Sequence, residues 1–247
     1  MINGFFLIIN IKNELKLIYN MLKHTFIHTK GIGAGTERKL WHNGIRDWEN
    51  FLENLNEINL ANKKKGNIKD EIESSLVEID NKNCNYFKCK LQNNEHWRLY
   101  SEFKDSCAFL DIETTGLWHH DKITVVGIYD GKETKTYIYG KNLDEINDEL
   151  KKYKMIVTFN GTCFDLPFIQ RRFPEINFNQ IHIDLRYFLK RLGLSGGLKV
   201  IEDEMGIQRS EGTAGLSGWD AVRLWKKYER GDKDALETLI KYNRRFP

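Results

Sequence analysis

Asp111 and Glu113 stand two residues apart at the end of the apolar run Cys107-Ala108-Phe109-Leu110. Side chains alternate along a strand, so an extended run places both carboxylates on one face, roughly 7 Å apart. Two hard oxygen ligands so placed suit a pair of Mg²⁺ or Mn²⁺ ions about 3.5–4 Å apart. Thr114-Thr115-Gly116-Leu117 follows and is expected to turn the chain away, leaving the strand end open to solvent. An isolated Asp-x-Glu is common in surface segments. The run from the apolar strand through Gly116 and Leu117 is far more specific.

A third acid, Asp165, closes the segment Asn160-Gly161-Thr162-Cys163-Phe164-Asp165-Leu166-Pro167. It lies just past a β-branched and aromatic run, Met155–Phe159, that reads as a buried strand, and it opens a helix. A carboxylate there is favoured by the helix dipole, so a plain capping role competes with a metal-binding one.

These residues need strand ends to carry them, and the chain supplies a mixed α/β pattern. Ile123–Tyr129 is β-branched, Asp130-Gly131 is a hairpin signal, and Thr134–Tyr139 is again strand-like. Leu143, Ile146, Leu150 and Tyr153 fall on one face of a helix, ahead of the 155–159 strand. From Leu185 onward the pattern is helical, broken at Gly193, Gly196-Gly197, Gly206 and the 212–218 stretch. The expected fold is therefore α/β: a mixed sheet of three antiparallel strands and then parallel strands, flanked by helices.

Asp111-Ile112-Glu113-Thr114 and Asn160-x4-Asp165-Leu166-Pro167 resemble the first two exonuclease motifs of the DnaQ-like, DEDD superfamily, whose fold is ribonuclease H-like. The resemblance covers about 105–245 and is nearest to YprB-type proteins and the proofreading domains of family B polymerases. His182-Ile183-Asp184-Leu185-Arg186, Leu198–Glu202 and Gly218–Trp225 are softer matches. It implies a metal-dependent 3′→5′ exonuclease in which Asp111 bridges two ions, Glu113 binds one and Asp165 supports the second. Thr114 and Asn160 would touch nucleic acid. The family's third motif, Tyr or His followed four residues later by Asp, opens here at Tyr242-Asn243-Arg244-Arg245, but position 246 is Phe. Tyr242 would position the attacking water, since a phenol with an ordinary pKa of about 10 is a weak base. With the fourth carboxylate missing, impaired activity is expected. The alternative is a catalytically inactive protein that keeps the fold and binds nucleic acid. Asp220, Asp232 and Asp234 are expected to be surface or capping residues, and the ending to be a truncation of a longer frame.

Upstream, Phe26–Trp41 resembles a helix-hairpin-helix. Its Gly31-x-Gly33 turn would let backbone N–H groups approach a phosphate, with Lys30, Arg38 and Lys39 adding charge. A tight turn between two packed helices is the plainer alternative. The expected organisation is a leader over 1–20, not necessarily native since Met21 is a plausible start, then a small helical unit over 21–55. A charged linker over 56–104, with the run Lys63-Lys64-Lys65, precedes the nuclease-like domain over 105–247.

Composition narrows the class without deciding it. Lys and Arg number 38 against 35 Asp and Glu, so only local clustering could favour a polyanion. The apolar opening Phe5–Ile9 is too short for a membrane span, which needs roughly 20 residues. It lacks secretory-signal features, so a cytoplasmic protein without membrane contact is expected. Cys84, Cys89, Cys107 and Cys163 lack zinc-site spacing and read as reduced thiols.

Overall fold

The computed structural model describes residues 21–207 and 215–244. The expected leader over 1–20 and position 246 lie outside these residues. The chain divides into two compact units that part between Lys104 and Asp105.

The first unit is helical. Helices α1 (Ala34–His42), α2 (Trp48–Glu53), α3 (Asn62–Asp80), α4 (Cys84–Lys90) and α5 (Tyr100–Phe103) follow in order, with a 3₁₀ turn over Asn93–Leu99 before α5. Residues 56–104 are not a linker here. In α3 the charged run hides a stripe, Ile68, Ile72, Ser75 and Ile79, that is buried at helical spacing. Phe87, Leu99 and Phe103 join it in a core with Leu22, Phe26, Trp48 and Phe51. Lys63 and Lys64, in the first turn of α3, are exposed.

A buried ion pair ties the two halves of this unit together. Arg98 donates to Glu37 at 3.0 Å, to Thr25 Oγ1 at 3.1 Å and to Glu95 at 2.7 Å. Glu37 Oε1 also accepts the backbone N–H of Phe26 at 2.8 Å. These extra hydrogen bonds are what make a buried pair tolerable, because desolvation otherwise cancels the attraction.

The second unit is the mixed sheet. Its strands are β1 (Cys107–Thr114), β2 (Ile123–Tyr129), β3 (Thr134–Ile138), β4 (Met155–Thr158) and β5 (Ile181–Asp184), in spatial order β3-β2-β1-β4-β5. β1 pairs antiparallel with β2 and parallel with β4, and so occupies the centre. The remaining pairs are antiparallel for β2 with β3 and parallel for β4 with β5. This is the ribonuclease H-like arrangement the sequence implies. The expected helix over 143–153 is shorter, a 3₁₀ turn followed by α6 (Ile146–Leu150).

The two sheet faces carry different helices. Ala108, Leu110 and Ile112 of β1 pack with Phe168 and Ile169 of α7 (Asp165–Arg172). On the other face, Val125 and Ile138 pack against Ala221, Trp225, Leu236 and Leu239. These last come from α10 (Gly218–Glu229) and α11 (Lys233–Arg244), which follow α8 (Leu185–Arg191) and α9 (Leu198–Glu204). Ser217 and Asp220 form a capping box at the start of α10, and Asp232 accepts the N–H of Ala235 at 3.1 Å. Asp220 and Asp232 are therefore helix caps. No described helix is long and apolar enough to cross a membrane, and no disulfide joins the four cysteines.

His28, buried in the first unit, sits 5.2 Å from the Trp48 ring. Burial chiefly lowers its pKa, to about 4, with Glu71 opposing and Lys90 and Arg98 assisting. The unfolded chain binds this proton near pH 6.5 and the folded chain does not. Stability is thus full above 6.5, falls as the pH drops, and levels off near 4, a loss of about 3 kcal/mol. Urea unfolding of the whole chain at stepped pH should show that slope, and H28F should flatten it.

Candidate active site

Asp111 and Glu113 leave β1 on the face opposite α7, as the period-two reading requires. They open onto a cavity of about 420 Å³ that Tyr242 of α11 and Trp219 and Val222 of α10 also line. Leu117 and Thr114 form part of its rim. Leu117 is 63% exposed and Trp219 is 61% exposed, so two large apolar side chains stand in solvent beside buried carboxylates.

Local geometry explains why β1 ends where it does. Glu113 pairs with Val125 but Thr114 pairs with Ile123, an irregularity that leaves Thr124 of β2 over. A bulge of this kind bends a strand and redirects its end. The Thr114 hydroxyl donates to Gly116 O, closing the turn. Asp121 accepts from Thr115 Oγ1 and from the N–H of Trp118, both at 2.8 Å. A Cβ on Gly116 would meet the Asp121 carboxylate at 2.5 Å, which accounts for glycine there.

Asp165 is placed differently from the other two acids. It is the first residue of α7 and is fully buried. The β1–β4 pairing stops at Phe109 and Val157. Three residues further along β1, the Ile112 N–H donates to Asp165 Oδ1 at 3.1 Å in place of a strand partner. Burial, reinforced by the charge of Asp111, pushes the Asp165 carboxyl well above the ordinary carboxylate range. Asp111, Glu113 and Tyr242 thus line one cavity, and Asp165 stands at the edge of β1 beside Ile112, near enough to Asp111 to feel its charge. Among the described residues, no three His, Cys, Asp or Glu side chains form a ready metal cage.

The residues present still fit a hard divalent cation. Two carboxylates line the cavity, oxygen donors of the kind Mg²⁺ and Mn²⁺ prefer. Asp165 Oδ2 is buried without a hydrogen-bond partner among the described residues, an orphaned oxygen that a cation's charge or water shell would satisfy.

Asn160 serves the loop rather than the cavity. It has φ of +64°, its N–H donates to Asp184 Oδ1 at 2.7 Å, and its side-chain oxygen accepts from Arg186 at 2.6 Å. Asp184 also accepts the Thr162 N–H at 3.0 Å, so the turn leading to Asp165 is tied to the end of β5. In the helical unit Lys30, Gly31 and Gly33 are exposed ahead of α1, and Arg38 and Lys39 are exposed further along it, Lys39 in its last turn. Gly31 has φ of +82°, as a tight turn demands. The described residues before it, 21–30, form turns and coil.

Sequence reasoning overlooked Asn243, which is fully buried and whose Nδ2 donates to Asp111 Oδ2 at 3.0 Å. The signal was present: Leu236, Leu239 and Asn243 share an i, i+3, i+7 stripe, where a polar residue marks a buried polar contact.

A mixed five-stranded sheet with two carboxylates at the end of its central strand defines an α/β protein of ribonuclease H-like fold. Residues 108–245 match the RNase_H superfamily model, and the chain belongs to that superfamily. Among solved structures, the family B DNA polymerase from the hyperthermophilic archaeon Pyrobaculum calidifontis is similar at 14% identity and a TM-score of 0.45. That match covers 55% of this chain and 22% of the polymerase chain. A comparison with curated proteins found no match.

The two sides of Asp165 can be separated by substitution. D165A leaves the Ile112 N–H buried and unsatisfied and should cost about 1–3 kcal/mol in urea unfolding. D165N keeps an acceptor and removes repulsion with Asp111, so the metal-free variant should be as stable as the parent or more so.

Proposed function

We propose that this chain is a metal-dependent nuclease that removes nucleotides from the 3′ end of a nucleic-acid strand. The observation that carries the reading is the pair Asp111 and Glu113, on one face of the central strand, lining a cavity with Tyr242. Membership of the RNase H superfamily supports it. Asp111 and Glu113 would hold Mg²⁺ or Mn²⁺, with Asp165 supporting the site from the edge of the strand. A divalent cation there would activate water and stabilise charge on the phosphate oxygens. The Tyr242 hydroxyl, on the same cavity, would orient the attacking water. Trp219, exposed beside the cavity, offers an aromatic face on which a terminal base can stack without sequence preference, with Leu117 as an apolar neighbour on the same cavity.

Position 246 is Phe, so the acid that the third motif would add is missing from its place. That favours a second reading, a nucleic-acid-binding protein with little or no turnover. Incubating a 3′-labelled oligonucleotide with Mg²⁺ or Mn²⁺ separates the two. The nuclease reading expects metal-dependent release of mononucleotides, reduced in D111N by about a hundredfold or more, since a bound cation supplies several kcal/mol. Binding without any metal-dependent product would leave only the second reading.

Binding itself has two separable parts. W219A should weaken binding to a single strand by roughly tenfold or more, as stacking contributes about 1–3 kcal/mol per base. Lys30, exposed ahead of α1, and Arg38 and Lys39, exposed along it, are proposed to neutralise phosphates. The triple alanine variant should flatten the salt dependence of duplex affinity by about 0.9 in log–log slope for each phosphate left without its cation. An unchanged slope would remove α1 from the interface.

A further inference from the structure

Gly127 is a glycine that its own backbone does not require. It lies inside β2, directly opposite Asp111, and is not among the positive-φ glycines. Glycine weakens a strand interior, so another demand must hold it there. A Cβ at this position would stand 2.3 Å from Asn243 Oδ1 and 3.2 Å from Asn243 Cγ. The absent side chain is therefore the space into which the Asn243 amide inserts. From there Asn243 Nδ2 donates to Asp111 Oδ2 at 3.0 Å.

Asn243 is fully buried and continues the apolar stripe of Leu236 and Leu239. A leucine would suit helix packing there, whereas a buried amide costs desolvation unless it is hydrogen-bonded. A neutral donor has one property that neither a leucine nor a cationic side chain shares. It fixes the rotation of a carboxylate while leaving its negative charge for a metal ion.

We propose that Asn243 is a positioning residue that presets Asp111 for divalent-cation binding, and that Gly127 is glycine in order to admit it. The inference rests on the metal-binding reading above and adds to it the residue that orients the ligand. Partners that hold a metal ligand typically change affinity by about 10–100-fold when removed.

The test is Mn²⁺ binding to the full chain, followed by the decrease of the free-ion electron paramagnetic resonance signal, with thermal unfolding recorded alongside. N243L should remain folded and bind Mn²⁺ about tenfold or more weakly. G127A, which keeps every functional side chain, should do the same by expelling the amide. In the N243A background G127A should cost nothing further, since the space is then empty, and N243A should have no added effect in D111N. If N243L fails to fold, G127A and the N243A/G127A pair carry the comparison. Parent-like affinity in folded G127A and N243A, with D111N still losing the ion, would overturn the positioning role alone. A parent chain that binds no Mn²⁺, or binds it equally as D111N, would overturn both this inference and the metal-binding reading.

Discussion

Carboxylates gathered for metal binding repel one another and resist leaving water, and the second unit is built around that constraint. Asp111 is 3% exposed and Asp165 is fully buried, with only the chain around Ile112 between them. The consequence is visible in Asp165, whose carboxyl burial and Asp111 together push upward. The fold meets the cost with neutral donors: the Ile112 N–H on Asp165 and the Asn243 amide on Asp111. Each satisfies an oxygen without cancelling the charge that would attract a cation.

The sheet makes this arrangement possible by separating two kinds of support. α7 packs on one face and delivers Asp165 to the strand end, where β4 has stopped pairing. α10 and α11 pack on the other and bring Tyr242 and Asn243 over the side chains of Asp111 and Glu113. β1 is central, and at Asp111 and Glu113 its backbone is held by β2 on one edge and, at Ile112, by Asp165 on the other. The tether from Asp184 to the 160–162 turn extends the same logic to the start of α7.

The helical unit shows how charge-rich sequence conceals a core. Residues 56–104 read as a solvated linker because Lys, Asn and Glu dominate them. Their apolar residues nevertheless recur at helical spacing, and Ile68, Ile72 and Phe87 are completely buried. Arg98, one more charge in that composition, is an interior residue through its pairing with Glu37 and Thr25. A side chain's charge says that it needs a partner or water, and only the fold says which it finds.

Local periodicity by itself determined β1 to β4, the hairpin at Asp130-Gly131, and the shared face of Asp111 and Glu113, because alternation along a strand is a property of the backbone; β5 was not legible that way. Local sequence also made the family resemblance readable, since both acidic motifs lie within short runs. Tertiary structure alone decided that Asp165 takes the Ile112 N–H at the edge β4 leaves open, and that Asn160 braces a loop. It alone brought Asn243 to Asp111 across 132 positions of chain, into space left by a glycine on a third element. Such meetings depend on which faces come together when helices dock on a sheet, and no window of neighbouring residues contains that information.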